Sequence, residues 1–491
     1  MRESFQKLQE HLEKVSALGA ALALFSWDSE TLAPKKAAEY TSKAVGILSG
    51  EMFGALINDT TKEWMARCEQ EKDLDVEEKG LLRVLKRQFE ELEKLPREEY
   101  EAYQTLLAKG PSVWYEAKEK KDFSLFAPVL KEIVEYNRRF AALRAEKGQK
   151  PYDVLLGDYE EGFTMEMLDP FFAELKKEIV PLLRHVEENP LPKAPLRHCS
   201  IEKQQEFNRF LAEYVGFDFE RGVLSETEHP FTDGLHSYDV RIATHYFEDN
   251  PESGIFSTIH ESGHALYEQQ VNPAYNLTLL GGGGGCGLHE SQSRFFENVI
   301  GRSEAFWKPI YGKLQDTFPE AYGSLPLEGF LQEINRAQAS LIRTEADELT
   351  YSLHILVRYE LEKELMEGTM QVEELPRAWN EKYREYLGVV PQNDGEGVLQ
   401  DIHWASGLFG YFPSYALGSA IASQLFACMK RQMPVEEYLE KGNLLPIREF
   451  LREHVHQWGK AKTTVEILRE TTGEDFNAGY YVQYLKEKFG R

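Results

Sequence analysis

The chain has 491 residues, 42% hydrophobic and 12% aromatic, with 82 acidic against 56 basic side chains and a formal net charge of −26. Such a composition supplies a large core, and so acidic a surface repels phosphate backbones, which excludes nucleic acid as the expected partner. Cys68, Cys199, Cys286 and Cys428 are far apart and form no CxxC pair, so a disulfide framework is not indicated and a reducing cytoplasm suits them.

Residues 1–150 read as almost continuous helix, with apolar residues at three- and four-residue steps over 3–25, 36–57, 75–95, 97–120 and 122–146. The amino-terminal stretch lacks an apolar h-region, and Ala17–Phe25 is too short to span a bilayer, so no membrane association is expected. Helical spacing continues over 166–188 and 201–215. Between about 218 and 250 the pattern changes to alternation and β-branched residues, bounded by His229-Pro230 and Asp233-Gly234, which predicts a small antiparallel sheet. An edge strand there could hold an extended peptide by strand addition. Helices return over 289–301, 328–339, 345–366, 376–388, 416–431, 446–456 and 478–489. The whole reads as one mainly α body over 1–491, with a weaker alternative cut near 200 into an N-terminal helical part and a catalytic part.

The most informative run lies just after the predicted sheet. His260-Glu261-Ser262-Gly263-His264 places two imidazoles four residues apart on a helix spanning about 253–271, where both can reach one ion. Ile255, Ile259, Ala265 and Leu266 make that helix largely buried, and buried imidazoles and carboxylates need partners. Glu261 lies one step round the helix, placed to take a proton from a metal-acidified water.

A catalytic zinc site wants a third protein ligand. Glu290 is the best candidate, at the start of a new helix beyond the glycine run 281–285; His289 competes, but adjacent helical residues diverge by about 100°. Glu297 shares the face of Glu290 and either orients a histidine or pairs with Arg294. The glycine run is a flexible loop or, on the sharper reading, a mobile lid. Arg343 opens a predicted amphipathic helix, where it either pairs with Asp347 four residues on or captures a substrate carboxylate. Gly397–Trp404 and Gly410–Tyr415 concentrate glycines and aromatics around one histidine, His403, as a core cluster or a site.

Together these motifs resemble the carboxypeptidase Taq family of metallocarboxypeptidases, which belong to the zincins with a glutamate third ligand. The resemblance runs in order through His229-Pro230-Phe231, Asp239-Val240-Arg241, the HESGH run, His289-Glu290-Ser291-Gln292-Ser293, Ile342-Arg343-Thr344-Glu345-Ala346-Asp347 and Gly397–Trp404. One departure stands out: the family has threonine two residues after the arginine of the second motif, where this chain has Ala243, with Thr244 next. The resemblance implies a large helical, neurolysin-like fold with a deep groove and a cytoplasmic homodimer. It also implies Zn²⁺ or Co²⁺ on His260, His264 and Glu290, with Glu261 as general base. His403 and Tyr415, with Tyr411 behind, are implied oxyanion donors. Arg343, Arg241 and His229 are implied substrate contacts. The activity implied is release of single C-terminal residues from peptides with a free carboxylate. The rivals are an oligoendopeptidase on the same scaffold, which needs no carboxylate clamp, and a non-catalytic peptide-binding protein with a structural zinc, in which Glu261 would be superfluous.

Overall fold

The computed structural model describes residues 2–490, folded as two compact units, each assembled from three separate stretches of chain. Unit 1 comprises Met1–Glu90, Ala194–Ile334 and Leu425–Asp475; unit 2 comprises Glu91–Lys193, Asn335–Gln424 and Phe476–Arg491. Both units draw on chain from either side of residue 200. Helices dominate both, and none among the described residues is long and apolar enough to cross a membrane.

In unit 1 the chain begins with the helices Glu3–Thr31 and Ala38–Leu56, then adds Asp59–Glu69, which the spacing does not signal because its sequence, DTTKEWMARCE, carries little apolar periodicity. Asn58 starts that helix by accepting the backbone N–H of Thr61. The sheet follows: β1 (Gly222–Glu226), β2 (Phe231–His236) and β3 (Asp239–Thr244), in spatial order β1-β3-β2. The expected all-antiparallel arrangement is corrected here. β2 and β3 form an antiparallel hairpin, but β1 pairs parallel with β3. A four-residue link suffices because it passes over the carboxyl end of β3, where Glu226 lies opposite Thr244 and Phe231 opposite Ala243; Thr227 N–H donates to the Thr244 carbonyl on the way.

β3 is the central strand, and its pleat divides it. Val240 and Ile242 are fully buried against Ala212 of the helix Ile201–Val215 and Ala265 of the helix Pro251–Gln270, together with Phe217. Arg241, on the other face, is held by Asp239, Nε to Oδ1 and Nη2 to Oδ2 each at 2.9 Å. The Thr244 hydroxyl meets that of Ser257 on the 251–270 helix, so the hydroxyl that falls one position late in this chain is used to fasten the sheet to that helix.

Unit 2 packs the helices Arg97–Lys120, Ala127–Arg144, Pro151–Tyr159, Met165–Glu188, Tyr351–Glu367, Leu375–Tyr386 and Gly479–Phe489. The spacing predicts one helix over 345–366; it begins only at Tyr351, because Asp347 holds the preceding turn, accepting the N–H groups of Leu349 and Thr350 and also that of Gln338. Arg343 therefore lies on a short 3₁₀ turn ahead of the helix rather than at its start.

A buried carboxyl organises the loop that follows. Glu362 accepts from Tyr152 Oη at 2.8 Å, from Trp404 Nε1 at 2.8 Å and from the Gly410 N–H at 2.9 Å, so one side chain of the 351–367 helix fixes both ends of the 404–410 segment. Burial pushes its carboxyl up to about 7. The folded chain holds this proton more tightly than the unfolded chain, so the contribution is complete below the ordinary carboxylate range and fades as pH rises through about 7. Thermal melts from pH 5 to 8 should show a decline of which Glu362 supplies about 3 kcal/mol at most. Glu362→Gln should flatten that decline; an unchanged pH slope would refute the assignment.

Candidate metal centre

The helix Pro251–Gln270 carries His260, Glu261 and His264, and Cys286–Arg294 carries Glu290. Gly263 lets the two approach. A Cβ there would lie 2.6 Å from the Gln292 carbonyl oxygen and 2.7 Å from Ser293 Cα, so any larger residue would push the second helix away. At this separation Glu290 Oε2 sits 3.7 Å from His260 Nε2 and 3.4 Å from His264 Nε2. The three ligand-type atoms lie within 4.8 Å of one another. Two imidazole nitrogens and one carboxylate fit a divalent cation such as zinc.

The outer nitrogens and oxygens are held as well. His260 Nδ1 donates to Glu297 Oε2 at 2.8 Å. Glu297 also pairs with Arg294 and Arg302, so both readings of this residue, orienting a histidine and pairing with Arg294, hold at once. A π-helical turn, Phe295–Ile300, continues the 286–294 helix and contains Glu297. Arg294 Nε donates to Glu290 Oε1 at 2.7 Å, leaving Oε2 toward the histidines.

His264 is supported differently. Its Nδ1 meets His289 Nδ1 at 2.6 Å, and His289 Nε2 meets Glu268 Oε1 at 2.8 Å. When His264 Nε2 is left unprotonated for an ion, its proton sits on Nδ1, so His289 accepts there and carries its own proton on Nε2, which it donates to Glu268. His289 thus stands behind His264 and outside the three-residue cluster. Glu268, four residues after His264 on the same helix face, is not among the residues that the motifs single out, although that spacing carries the signal.

The glycine run packs around this chain of groups. Gly283 N–H donates to Glu268 Oε1 at 2.8 Å and Gly284 N–H to Tyr267 Oη at 2.9 Å. A Cβ on Gly283 would lie 2.5 Å from His289 Cδ2. Close approach to His289 and Tyr267 accounts for glycine here without any appeal to a lid.

Electrostatics separate the carboxyls. Although burial works in the opposite direction, Arg294 and His260 hold Glu290 far below the usual carboxylate range. Burial instead raises Glu261, only partly offset by His260 and by the Thr232 hydroxyl, which donates to Glu261 Oε2 at 2.6 Å. A carboxylate held ionised and a carboxyl with raised proton affinity sit side by side, the pairing that metal-assisted hydrolysis needs. Thr232 carries no motif of its own; it lies on β2, an edge of the sheet. His229 is exposed in the β1–β2 link and makes no contact with the cluster, and Arg241 is engaged by Asp239 beside Trp27.

In unit 2 a second cluster gathers the other sequence candidates. Arg343 Nε and Nη2 both donate to Asp401 Oδ1, at 3.0 and 2.8 Å, and Nη1 donates to Tyr351 Oη at 2.7 Å. Its partner is thus Asp401 and not Asp347, which is occupied by the N–H groups of the turn ahead of the helix. Arg358 clamps the other Asp401 oxygen, Nε to Oδ2 at 2.7 Å. Despite burial, the two guanidinium groups hold Asp401 well below the carboxylate range. The Arg343 guanidinium lies 5.0 Å from the Tyr415 ring centre, and Tyr415 Oη meets His403 Nε2 at 3.3 Å. Tyr411 packs 5.3 Å from Tyr415 and 5.5 Å from His403. Burial lowers His403 to about 4, so the imidazole is neutral near pH 7 and can donate or accept. Sequence assigns no role to Arg358, Tyr351 or Asp401, since nothing local links residues 43 and 58 positions apart.

Comparison with known proteins adds the family context. Residues 7–489 match the family model described as carboxypeptidase Taq (M32) metallopeptidase. Carboxypeptidase 1 of Bacillus subtilis is 43% identical over 483 residues, covering 97% of this chain and 96% of the relative. Thermostable carboxypeptidase 1 of Pyrococcus furiosus is 35% identical over 493 residues, covering 99% and 98%. The crystal structure of the M32 carboxypeptidase from Deinococcus radiodurans superposes with a TM-score of 0.96 at 34% identity, covering 100% of this chain and 99% of that one.

Proposed function

This chain belongs to the carboxypeptidase Taq (M32) family of metallopeptidases and is a metal-dependent carboxypeptidase, and on that premise we propose how its residues divide the work. The observation that carries the reading is the convergence of His260, His264 and Glu290 within 4.8 Å beside Glu261. We assign those three as ligands of Zn²⁺, with Co²⁺ as an acceptable substitute for the same nitrogen and oxygen donors. A bound ion supplies acidification of a water and polarisation of the scissile carbonyl.

The rest falls to the chain itself. Glu261 Oε1 or Oε2 takes the proton of the attacking water and delivers it to the departing amine, with Thr232 fixing its rotamer. Glu297 holds His260, and the Glu268–His289 pair holds His264 in the tautomer that leaves Nε2 for the ion. Thr232 lies on an edge strand, which supports strand addition of an extended substrate along β2. In unit 2, Arg343 receives the substrate's terminal carboxylate with the hydrogens that Asp401 and Tyr351 leave to it, and His403 and Tyr415, with Tyr411 packed against both, donate to the developing oxyanion. Arg241 and His229 take a peripheral role in substrate contact. The four free cysteines support a reducing cytoplasm, and membership of the family supports a homodimer acting on peptides.

The oligoendopeptidase and the non-catalytic reading are not favoured. A timed digest followed by mass spectrometry tests the proposal: an unblocked peptide should give a C-terminal ladder that a chelator stops and Zn²⁺ or Co²⁺ restores. The same peptide with an amidated C-terminus should stay intact. Undiminished cleavage of the amide would sink the exopeptidase assignment.

A further inference from the structure

The far end of the metal-bearing helix opens onto a polar pocket in unit 1 that the hydrolytic chemistry does not use. Its walls include Arg221, Arg448, Gln270 and Gly216, and its volume is about 240 Å³. The acids there are already engaged. Asp218 accepts Arg221 Nε at 2.8 Å, and Glu449 accepts Arg452 at 2.7 Å. Arg448 Nε is sealed from solvent and finds no acceptor among the described residues. Burial lowers the proton affinity of this guanidinium, which the neighbouring Glu449 carboxylate only partly offsets.

The pocket is shaped around that arginine. Gly216 ends the 201–215 helix with φ of 121°, and a Cβ there would collide with Arg448 Nη1. Arg221 Nη1 donates to the Gln269 carbonyl at 2.9 Å, which leaves its remaining nitrogen for a guest. Gln270 meets His456 Nδ1 at 2.7 Å; because the neutral imidazole donates from Nε2 to Gln292 Oε1, Gln270 turns its amide NH₂ to Nδ1 and keeps one N–H for a guest. Arg448 Nε, the remaining Arg221 nitrogen and one Gln270 N–H are donors that the lining carboxylates of Asp218 and Glu449 leave unused.

We propose that this pocket binds a small oxyanion, a phosphate or a carboxylate, and that its occupancy is felt at the metal centre. Guanidinium forks match paired oxygens, which favours an oxyanion over a halide. The line of communication is short: Gln270 holds His456 Nδ1, and His456 Nε2 meets Gln292 Oε1 at 2.8 Å, two residues from Glu290. A guest drawing on the Gln270 amide therefore acts on a buried hydrogen-bonded connection between the helices that carry the histidines and Glu290.

The test uses the metal-loaded protein with inorganic phosphate, acetate and chloride at matched ionic strength, followed by calorimetric titration, thermal melts and peptide turnover. Phosphate or acetate should bind with a stoichiometry of one and raise the melting temperature by about 3 °C near saturation. Either should change kcat/KM at least about two-fold, and whichever ion does so identifies the class. Arg448→Met should abolish the titration, the thermal shift and the rate effect together, while Arg452→Met retains them. If Arg448→Met does not fold, Arg221→Met takes its place and should weaken the titration at least about ten-fold. Chloride acting as well as the oxyanions, no ion binding, or binding that survives the substitution, as attachment of phosphate to the metal would, overturns the proposal.

Discussion

Glu261→Gln is expected to leave bound metal unchanged and to lower kcat by roughly 10³–10⁴-fold, the range that a positioned general base supplies. The substitution preserves shape: Thr232 Oγ1 can donate to an amide oxygen as it does to Glu261 Oε2, and none of the three metal-type donor atoms belongs to residue 261. What is lost is proton affinity. Burial raises the Glu261 carboxyl, which makes it a better acceptor than an exposed glutamate, and an amide has no comparable basicity. Metal content by elemental analysis and turnover on a short peptide check the prediction. A variant with metal but near-normal kcat would remove Glu261 from its assigned role. A variant with neither would move Glu261 into the metal-holding set.

The contrast between the two clusters shows what local sequence can carry. His260, Glu261 and His264 are legible because a helix converts a spacing of four into proximity. Glu290 is legible because it lies on the next helix, which starts at Cys286, and Gly263 then sets the distance between the two, a role visible only once the Gln292 carbonyl is seen against it. Glu268 is within reach of the same helical argument. Asp401 is not: its partners Arg343 and Arg358 come from a 3₁₀ turn and from a helix interior, joined by tertiary packing alone. The sheet departs from expectation in a related way. Alternation marks the strands and their faces, but the parallel pairing of β1 depends on which end of β3 the link crosses. The helix predicted over 345–366 begins late because Asp347 accepts the N–H groups of the turn before it instead of pairing with Arg343, a choice between two local rules that spacing cannot settle.

That same choice shapes the second large effect, at Arg343. Arg343→Met should lower kcat/KM on peptides with a free C-terminus by roughly 10²–10³-fold, since a charge-assisted contact to a carboxylate contributes about 1.5–3 kcal/mol per hydrogen bond and Arg343 can offer two. The fold should survive. Asp401 keeps both nitrogens of Arg358, at 2.7 Å and closer, so it is not left as an unpaired buried charge, and methionine fills the volume among Tyr351, Phe412 and Tyr415. Arg343→Lys separates charge from geometry. A lysine keeps the positive charge but cannot donate to Asp401 through two parallel N–H groups and still face a second carboxylate, so it should recover little of the lost activity. The informative control is the amidated peptide. If Arg343 recognises the terminal carboxylate, the wild type's preference for free over amidated substrate should collapse in Arg343→Met, with the slow residual rates on the two converging. If the preference persists at its original ratio while both rates fall, Arg343 only braces Asp401 and its neighbours, and the carboxylate is read by another group.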